Sequence, residues 1–214
     1  MTTNVPVERE PSAALVLCGG SSRRMGSDKT ALPFGDETLL ERVVRIVADV
    51  VSEVWLVARQ GQTLAVRSAT GGFVPIARDP AEGLGPLAGI IAGLRAMRAD
   101  QAFVTACDCP LLQPAYIRRM LALGRGHSAV VPRIDGHLMT MSAVYSRTLL
   151  PTAERLLEAG ELRPRVLFEQ PGVLVVGADE LRDVDPELHS LYDCDTPDTY
   201  REALHIASEG GLLL

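Results

Sequence analysis

Hydrophobic positions in the first part of the chain fall into two alternating kinds of pattern. Short runs rich in Val, Ile and Leu occur at Ala13–Leu17, Val54–Ala58, Phe73–Ile76, Ala102–Ala106 and Ala129–Val131, each closed within a few residues by Gly, Pro or Asp. Runs of this length without polar alternation predict strands buried on both faces, as in a parallel sheet. Between them the apolar spacing becomes helical. Leu39–Val51 places Leu40, Val43, Val44, Val47 and Val51 on one face, and Leu87–Arg98 does the same with Leu87, Ile90, Ile91, Leu94 and Met97. Strand alternating with helix predicts an α/β fold: a single-domain, Rossmann-like three-layer sandwich with a mostly parallel, mixed sheet and helices on both faces.

Beyond about residue 125 the rhythm changes. Strands over Ser142–Tyr145 and Val173–Val176 flank a helix over Leu149–Ala159, which predicts a mixed sheet edge. His189–Asp195 reads as a strand and Thr196–Ala207 as a helix, with Thr196 as its cap and Pro197 in its first turn. With no internal repeat or linker, residues 13–207 are expected to form one domain between a flexible N-terminus (1–12) and a tail (208–214). The 214 residues, 47% of them hydrophobic, are ample for one core. A net charge of -6 argues against a nucleic-acid-binding surface, which needs clustered Lys and Arg. No apolar run approaches the roughly 20 residues that span a bilayer, and the polar, acidic start is unlike an export signal, so a cytoplasmic protein is expected. Cys18, Cys107, Cys109 and Cys194 lack the spacing of a disulfide framework, and Cys107-x-Cys109 lacks the paired spacing of a structural zinc site.

The densest chemical signal is Leu15-Val-Leu-Cys-Gly-Gly-Ser-Ser-Arg-Arg-Met-Gly-Ser-Asp-Lys29. A strand running into glycines and small hydroxyls (Gly19, Gly20, Ser21) lets backbone N–H groups converge on an anion, and Arg24 and Lys29 add counter-charge, so the segment reads as a polyphosphate cradle. Lys29 is the sole lysine in the chain. Walker A spacing and Gly-x-Gly-x-x-Gly are both absent, which sets aside the corresponding ATPase and dehydrogenase classes. Ligands of open α/β sheets sit beyond the carboxyl ends of the strands, which makes Asp108, Asp79, Asp193 and Asp195 candidate metal or ribose partners. A Mg ion bridging triphosphate oxygens needs one or two such carboxylates. A second glycine loop, Gly83-Leu-Gly-Pro-Leu-Ala-Gly89, leads into a helix and offers Gly85, Pro86, Leu87 and Gly89 to a flat base or ribose.

Together these segments resemble the molybdenum cofactor guanylyltransferase family (molybdopterin-guanine dinucleotide biosynthesis protein A) within the nucleotidyltransferases. The opening Leu-Cys-Gly-Gly-Ser-Ser-Arg-Arg-Met-Gly-Ser-Asp-Lys is similar to that family's first motif. Asp79 with Gly85–Gly89, Cys107-Asp-Cys-Pro-Leu111 and Asp193-Cys-Asp-Thr-Pro-Asp198 follow in the family's order over about residues 13–205. The resemblance implies a nucleotide-diphospho-sugar-transferase-like fold. Leu17, Cys18 and Gly19 would line the nucleotide through backbone atoms, Lys29 would meet phosphate, Asp79 would hold the guanosine, and Asp108, with Asp195 or Asp193, would hold Mg2+. It further implies GTP and molybdopterin, or Mo-molybdopterin, as substrates, with cofactor-delivery proteins or a recipient molybdoenzyme as partners. The chain departs from the family's pattern at Cys18, at Val57 where the family often has Asn, over Leu138–Tyr145, and at Asp193 and Asp195, which replace asparagines. Two alternatives stay open: a cytidylyl- or sugar-1-phosphate nucleotidyltransferase on the same fold, and a catalytically silent GTP-binding relative.

Overall fold

The strand over Glu10–Leu17 (β1) lies inside the sheet because its apolar residues are buried on both sides, with Ala13, Ala14, Leu15 and Val16 all fully enclosed. A computed structural model describes residues 10–19, 28–68, 71–79 and 84–211. After β1 come β2 (Pro33–Phe34), β3 (Glu37–Thr38), α1 (Leu39–Ala48), β4 (Val51–Ala58), β5 (Ile76–Arg78), α2 (Gly85–Ala96), β6 (Gln101–Ala106) and α3 (Pro114–Gly124). The second half adds β7 (Ala129–Ile134), β8 (His137–Leu138), β9 (Ser142–Ser146), α4 (Leu150–Glu158), β10 (Val173–Val176) and α5 (Pro197–Glu209). The main sheet runs β10-β7-β9-β6-β1-β4-β5, with β8 paired to β7, while β2 and β3 form a separate hairpin.

Period-two alternation divides the core into two layers. Ala14, Val16 and Phe103 face α1 and α3, packing with Val43, Val47, Ile117 and Met120. Ala13, Leu15 and Val104 face α2 and α4, packing with Ile90, Leu94 and Ala153. The expected three-layer sandwich is therefore present. From β1 the chain winds outward through β4 and β5, and α2 then carries it back to β6 on the other side of β1. Strand order reverses between β1 and β6, and the crevice at their carboxyl ends is where such a sheet receives ligands. No helix among the described residues is long and apolar enough to cross a membrane.

Several expectations need correction. The antiparallel strand β9 lies inside the sheet, between β7 and β6, and the edge is β10. Asp135 and Gly136, both at positive φ, turn the chain back on β7, and the returning segment fills the gap beside β6. His189–Asp195 is not a strand: His189–Leu191 form a 3-10 turn, because the buried Asp185 carboxylate accepts the N–H groups of His189 and Ser190 and so ends extended geometry there. The strand expected at Phe73–Ile76 occupies Ile76–Arg78, since Pro75 has no N–H and Phe73 makes only an isolated bridge to Arg67. Both expected domain limits also shift: Glu10–Ser12, within the N-terminus expected to be flexible, belong to β1, and α5 extends to Glu209, into the expected tail. Residues 1–9 and 212–214 lie outside the described residues. α3, which the apolar spacing had not singled out, buries Tyr116, Ile117, Met120 and Leu121. Thr196 caps α5 as expected, its hydroxyl accepting from the Thr199 N–H.

Candidate functional site

Three backbone hydrogen bonds carry the sheet ladder one residue past its strands and so fix where the candidate residues begin. The Cys18 N–H donates to Val57 O (2.8 Å), the Cys107 N–H to Leu17 O (3.1 Å) and the Asp79 N–H to Ala58 O (2.9 Å). Leu17, Cys18 and Gly19 thus leave β1 between Asp108, just beyond β6, and Asp79, just beyond β5. The Cys18 carbonyl accepts from Gln62 Nε2, and Gly19 lies against the Arg59 side chain. Gly20, Ser21 and Arg24 lie outside the described residues.

Lys29 enters from a single 3-10 turn, Lys29–Ala31, capped by Asp28, whose Oδ1 accepts from the Thr30 N–H (3.0 Å) and hydroxyl (2.8 Å). Its ammonium meets Asp108 Oδ2 at 2.6 Å and Asp195 Oδ1 at 2.5 Å. The Lys29 and Asp108 side chains are 13% and 11% exposed, so this pair sits in a weakly screened place, while Asp195 at 46% reaches solvent. Burial would lower the Lys29 pKa, but the hydrogen bonds and charges of Asp108 and Asp195 outweigh it and raise the group above its ordinary value. The lysine is therefore a fixed positive charge at any physiological pH. Asp195 reaches the site because the Cys194 N–H donates to Asp108 O at 2.9 Å, tying the segment before α5 to the end of β6. Asp193, two residues back, is exposed.

The loop that carries Asp108 is held by a residue the sequence had not singled out. Arg42, on the otherwise apolar face of α1, is 3% exposed. Its Nε donates to Pro110 O (2.6 Å), its Nη1 to Glu37 Oε1 (3.2 Å), and its guanidinium lies 4.9 Å from the centre of the Phe34 ring. One buried cation thus clamps the β2–β3 hairpin that follows Lys29 onto the loop that carries Asp108. A charged residue among Leu40, Val43, Val44 and Val47 was the available signal.

Three thiols around the site, those of Cys107, Cys109 and Cys194, are held protonated. Burial, then the charges of Asp108 and Asp193, push Cys194 up to about 12. Burial raises Cys109, and a hydrogen bond with Cys18 followed by burial raises Cys107. Neutral thiols are poor nucleophiles and poor metal ligands.

In the second loop, Gly85 has φ +68°, and a Cβ there would lie 2.7 Å from Leu162 O, so glycine is required by a close approach within the protein. The Leu87 N–H donates to the same carbonyl (3.3 Å), and the Leu87 side chain is buried in the core. Pro86 occupies the first turn of α2. Gly89 marks where three elements meet: a Cβ on it would lie 3.2 Å from Val57 Cγ1, 3.6 Å from Leu17 Cδ2 and 4.0 Å from Asp79 Oδ2. Val57 itself is 3% exposed and packs beneath α2.

Among the described residues no group of three or more His, Cys, Asp or Glu side chains is arranged to hold a metal. Asp108 and Asp195 nevertheless aim one oxygen each at a single cation, the Lys29 ammonium. A hard divalent ion that keeps several waters and takes further oxygens from substrate phosphates fits such a pair.

Comparisons with known proteins follow the same lines. A family model described as "MobA-like NTP transferase domain" matches residues 14–175. A Methanosarcina mazei protein named as a probable molybdenum cofactor guanylyltransferase is 33% identical over 212 residues, covering 94% of each chain. Among solved structures, the molybdopterin-guanine dinucleotide biosynthesis protein A of Archaeoglobus fulgidus superposes with a TM-score of 0.75 at 24% identity, over 92% of this chain and 99% of its own. A Mycobacterium tuberculosis protein solved as a complex with manganese superposes with a TM-score of 0.61 at 22% identity, over 90% of this chain and 97% of its own.

Proposed function

The chain belongs to the MobA-like NTP transferase family, and on that premise we propose that it transfers GMP from GTP to the phosphate of molybdopterin, releasing pyrophosphate. The observation that carries this proposal is the convergence of Lys29, Asp108 and Asp195 at the carboxyl ends of β1 and β6. Relatives named as molybdenum cofactor guanylyltransferases at 33% and 31% identity support the choice of nucleotide and acceptor.

Three strand spacings separate the ends of β6 and β5, roughly 14 Å at about 4.8 Å each, a span suited to an extended nucleoside triphosphate. In the proposed complex the guanosine lies toward Asp79 and the Gly85–Gly89 loop. The triphosphate runs from Gly19 toward Lys29, and Gly20, Ser21 and Arg24, outside the described residues, are assigned to it from the sequence motif alone. Asp108 and Asp195 are the residues that would hold Mg2+, and the manganese complex of the Mycobacterium tuberculosis structure makes a divalent ion reasonable. Bound there, the ion would neutralise charge on the α-phosphate and the departing pyrophosphate.

The molybdopterin phosphate is already anionic, so its oxygen attacks the α-phosphorus without a protein nucleophile or base, and the bond to the β-phosphate oxygen breaks. The residues contribute position and charge. Lys29 neutralises phosphate oxygens, the backbone of Leu17–Gly19 fixes the nucleotide against β1, and Arg42 keeps the Asp108 loop in register with the Lys29 hairpin. A cytoplasmic setting is part of the proposal, in keeping with four cysteines that are all buried and unpaired.

The experiment is pyrophosphate release with each of the four NTPs, Mg2+ and molybdopterin. Release is expected with GTP and to require the acceptor. Release with CTP instead would transfer the chain to the cytidylyl alternative, and GTP binding without release would make it a silent relative.

A further inference from the structure

Asp108 and Asp195 are fixed to one another by backbone: the Cys194 N–H donates to Asp108 O at 2.9 Å, and Asp195 is the next residue. Lys29 is attached differently. Its ammonium sits at the end of a four-carbon stem on a one-turn 3-10 helix, and it touches both carboxylates at 2.6 and 2.5 Å. The two oxygens thus form a preset cradle for one cation, and the lysine is the part able to leave it. An ammonium and a divalent ion cannot share that position.

From this geometry, and resting on the function proposed above, we infer that Lys29 is an internal competitor of the metal: it closes the Asp108–Asp195 cradle until a triphosphate draws the ammonium away. The exchange is balanced in charge. Each carboxylate loses one cationic partner and gains another, while the ammonium moves from carboxylate oxygens to phosphate oxygens, and no covalent bond changes. The consequence is an order of assembly in which nucleotide and metal enter together, and free metal alone binds poorly. A lysine that served only to hold phosphate would have no effect on metal binding before nucleotide arrives.

The test is Mn2+ binding to the whole protein, read by the loss of the free-ion EPR signal, with and without GTP. Without nucleotide, Lys29→Met is expected to bind Mn2+ about tenfold or more tightly than wild type, because the largely buried Asp108 and the half-exposed Asp195 no longer share the ammonium that occupies the metal position. That gain should vanish in Lys29→Met/Asp108→Asn. Arg59→Met removes an equal charge beside Gly19 without touching either carboxylate and should change Mn2+ affinity about twofold at most, as a screened surface charge does. With GTP present the sign should invert, Lys29→Met binding Mn2+ more weakly than wild type. Should Lys29→Met not fold, Lys29→Gln keeps hydrogen-bond donors between the carboxylates and carries the same expected signs. A nucleotide-free gain no larger than that of Arg59→Met, or one that survives Asp108→Asn, overturns the competition while leaving the proposed enzyme standing. Wild type that binds no Asp108-dependent Mn2+ even with GTP removes the metal site of the proposed function, and the competition with it.

Discussion

Lys29 and Asp108 lie 79 residues apart in the chain, yet the Lys29 ammonium is 2.6 Å from Asp108 Oδ2, so the sole lysine and the carboxylate after β6 face one point. The proposed chemistry needs both at that point. Asp108→Asn and Lys29→Ala are each expected to slow GMP transfer by roughly 10²–10³-fold, the scale on which a group that stabilises developing charge is worth. Both variants should retain the cooperative unfolding of the wild type, checked by urea denaturation. Turnover within a few-fold of wild type in either would remove that residue from the site.

Asp193 and Asp195 are separable in the same way. Asp195 touches the ammonium at 2.5 Å, whereas Asp193 is exposed and its charge is felt at Cys109 and Cys194. Asp195→Asn should raise the Mg2+ concentration for half-maximal rate about tenfold, and Asp193→Asn by about twofold at most. The opposite ranking would place Asp193 at the metal.

Glu37 supplies a pH-dependent part of stability. Burial would raise its pKa, but the hydrogen bond and charge of Arg45, followed by Arg42, hold the carboxyl below its ordinary value of 4.5. A depressed carboxyl contributes stability that is present above its unfolded value and lost as pH falls through its folded value. The urea midpoint of the wild type should therefore drop as pH falls below about 4.5, and Glu37→Gln should start lower at pH 7 and converge with wild type in acid. Curves that stay parallel would contradict the assignment. Arg42→Met, which leaves Glu37 half-paired and the Pro110 carbonyl without its donor, should cost about 3 kcal/mol at pH 7.

Gly85→Ala tests what the second loop is for. The positive φ and the 2.7 Å approach of the new Cβ to Leu162 O should together cost about 1–3 kcal/mol of stability, in the absence of any nucleotide. An unchanged melting temperature combined with a large loss of GTP affinity would make the glycine a ligand contact instead.

Much of the fold was legible because helical and strand periods are local. The apolar faces of α1 and α2 and the positions of β1, β4, β6 and β7 follow from the sequence, as does the Thr196 cap, except that α1 ends at Ala48 and Val51, expected on its face, begins β4. Neighbour relations were not. The local pattern says that Ser142–Tyr145 is a strand, but its place between β7 and β6 depends on a turn at Asp135–Gly136 and on a gap that only the assembled sheet provides. The residues drawn into the site show the same division. Lys29, Asp108 and Asp195 carried a chemical signal as a lone lysine and strand-end acids, whereas Arg42 acts through Pro110 O and Phe34, contacts that no spacing encodes. Gly85 was read from its type as room for a ligand, and its close neighbour is Leu162, 77 residues away in sequence.

The central claim is most directly tested by following the α-phosphate. With GTP labelled at that position, Mg2+ and molybdopterin, the wild type should place the label in the acceptor with one pyrophosphate formed per label transferred, and Asp108→Asn should not. Label recovered as GDP or free GMP, transfer from CTP in preference to GTP, or equal transfer by Asp108→Asn would contradict the account.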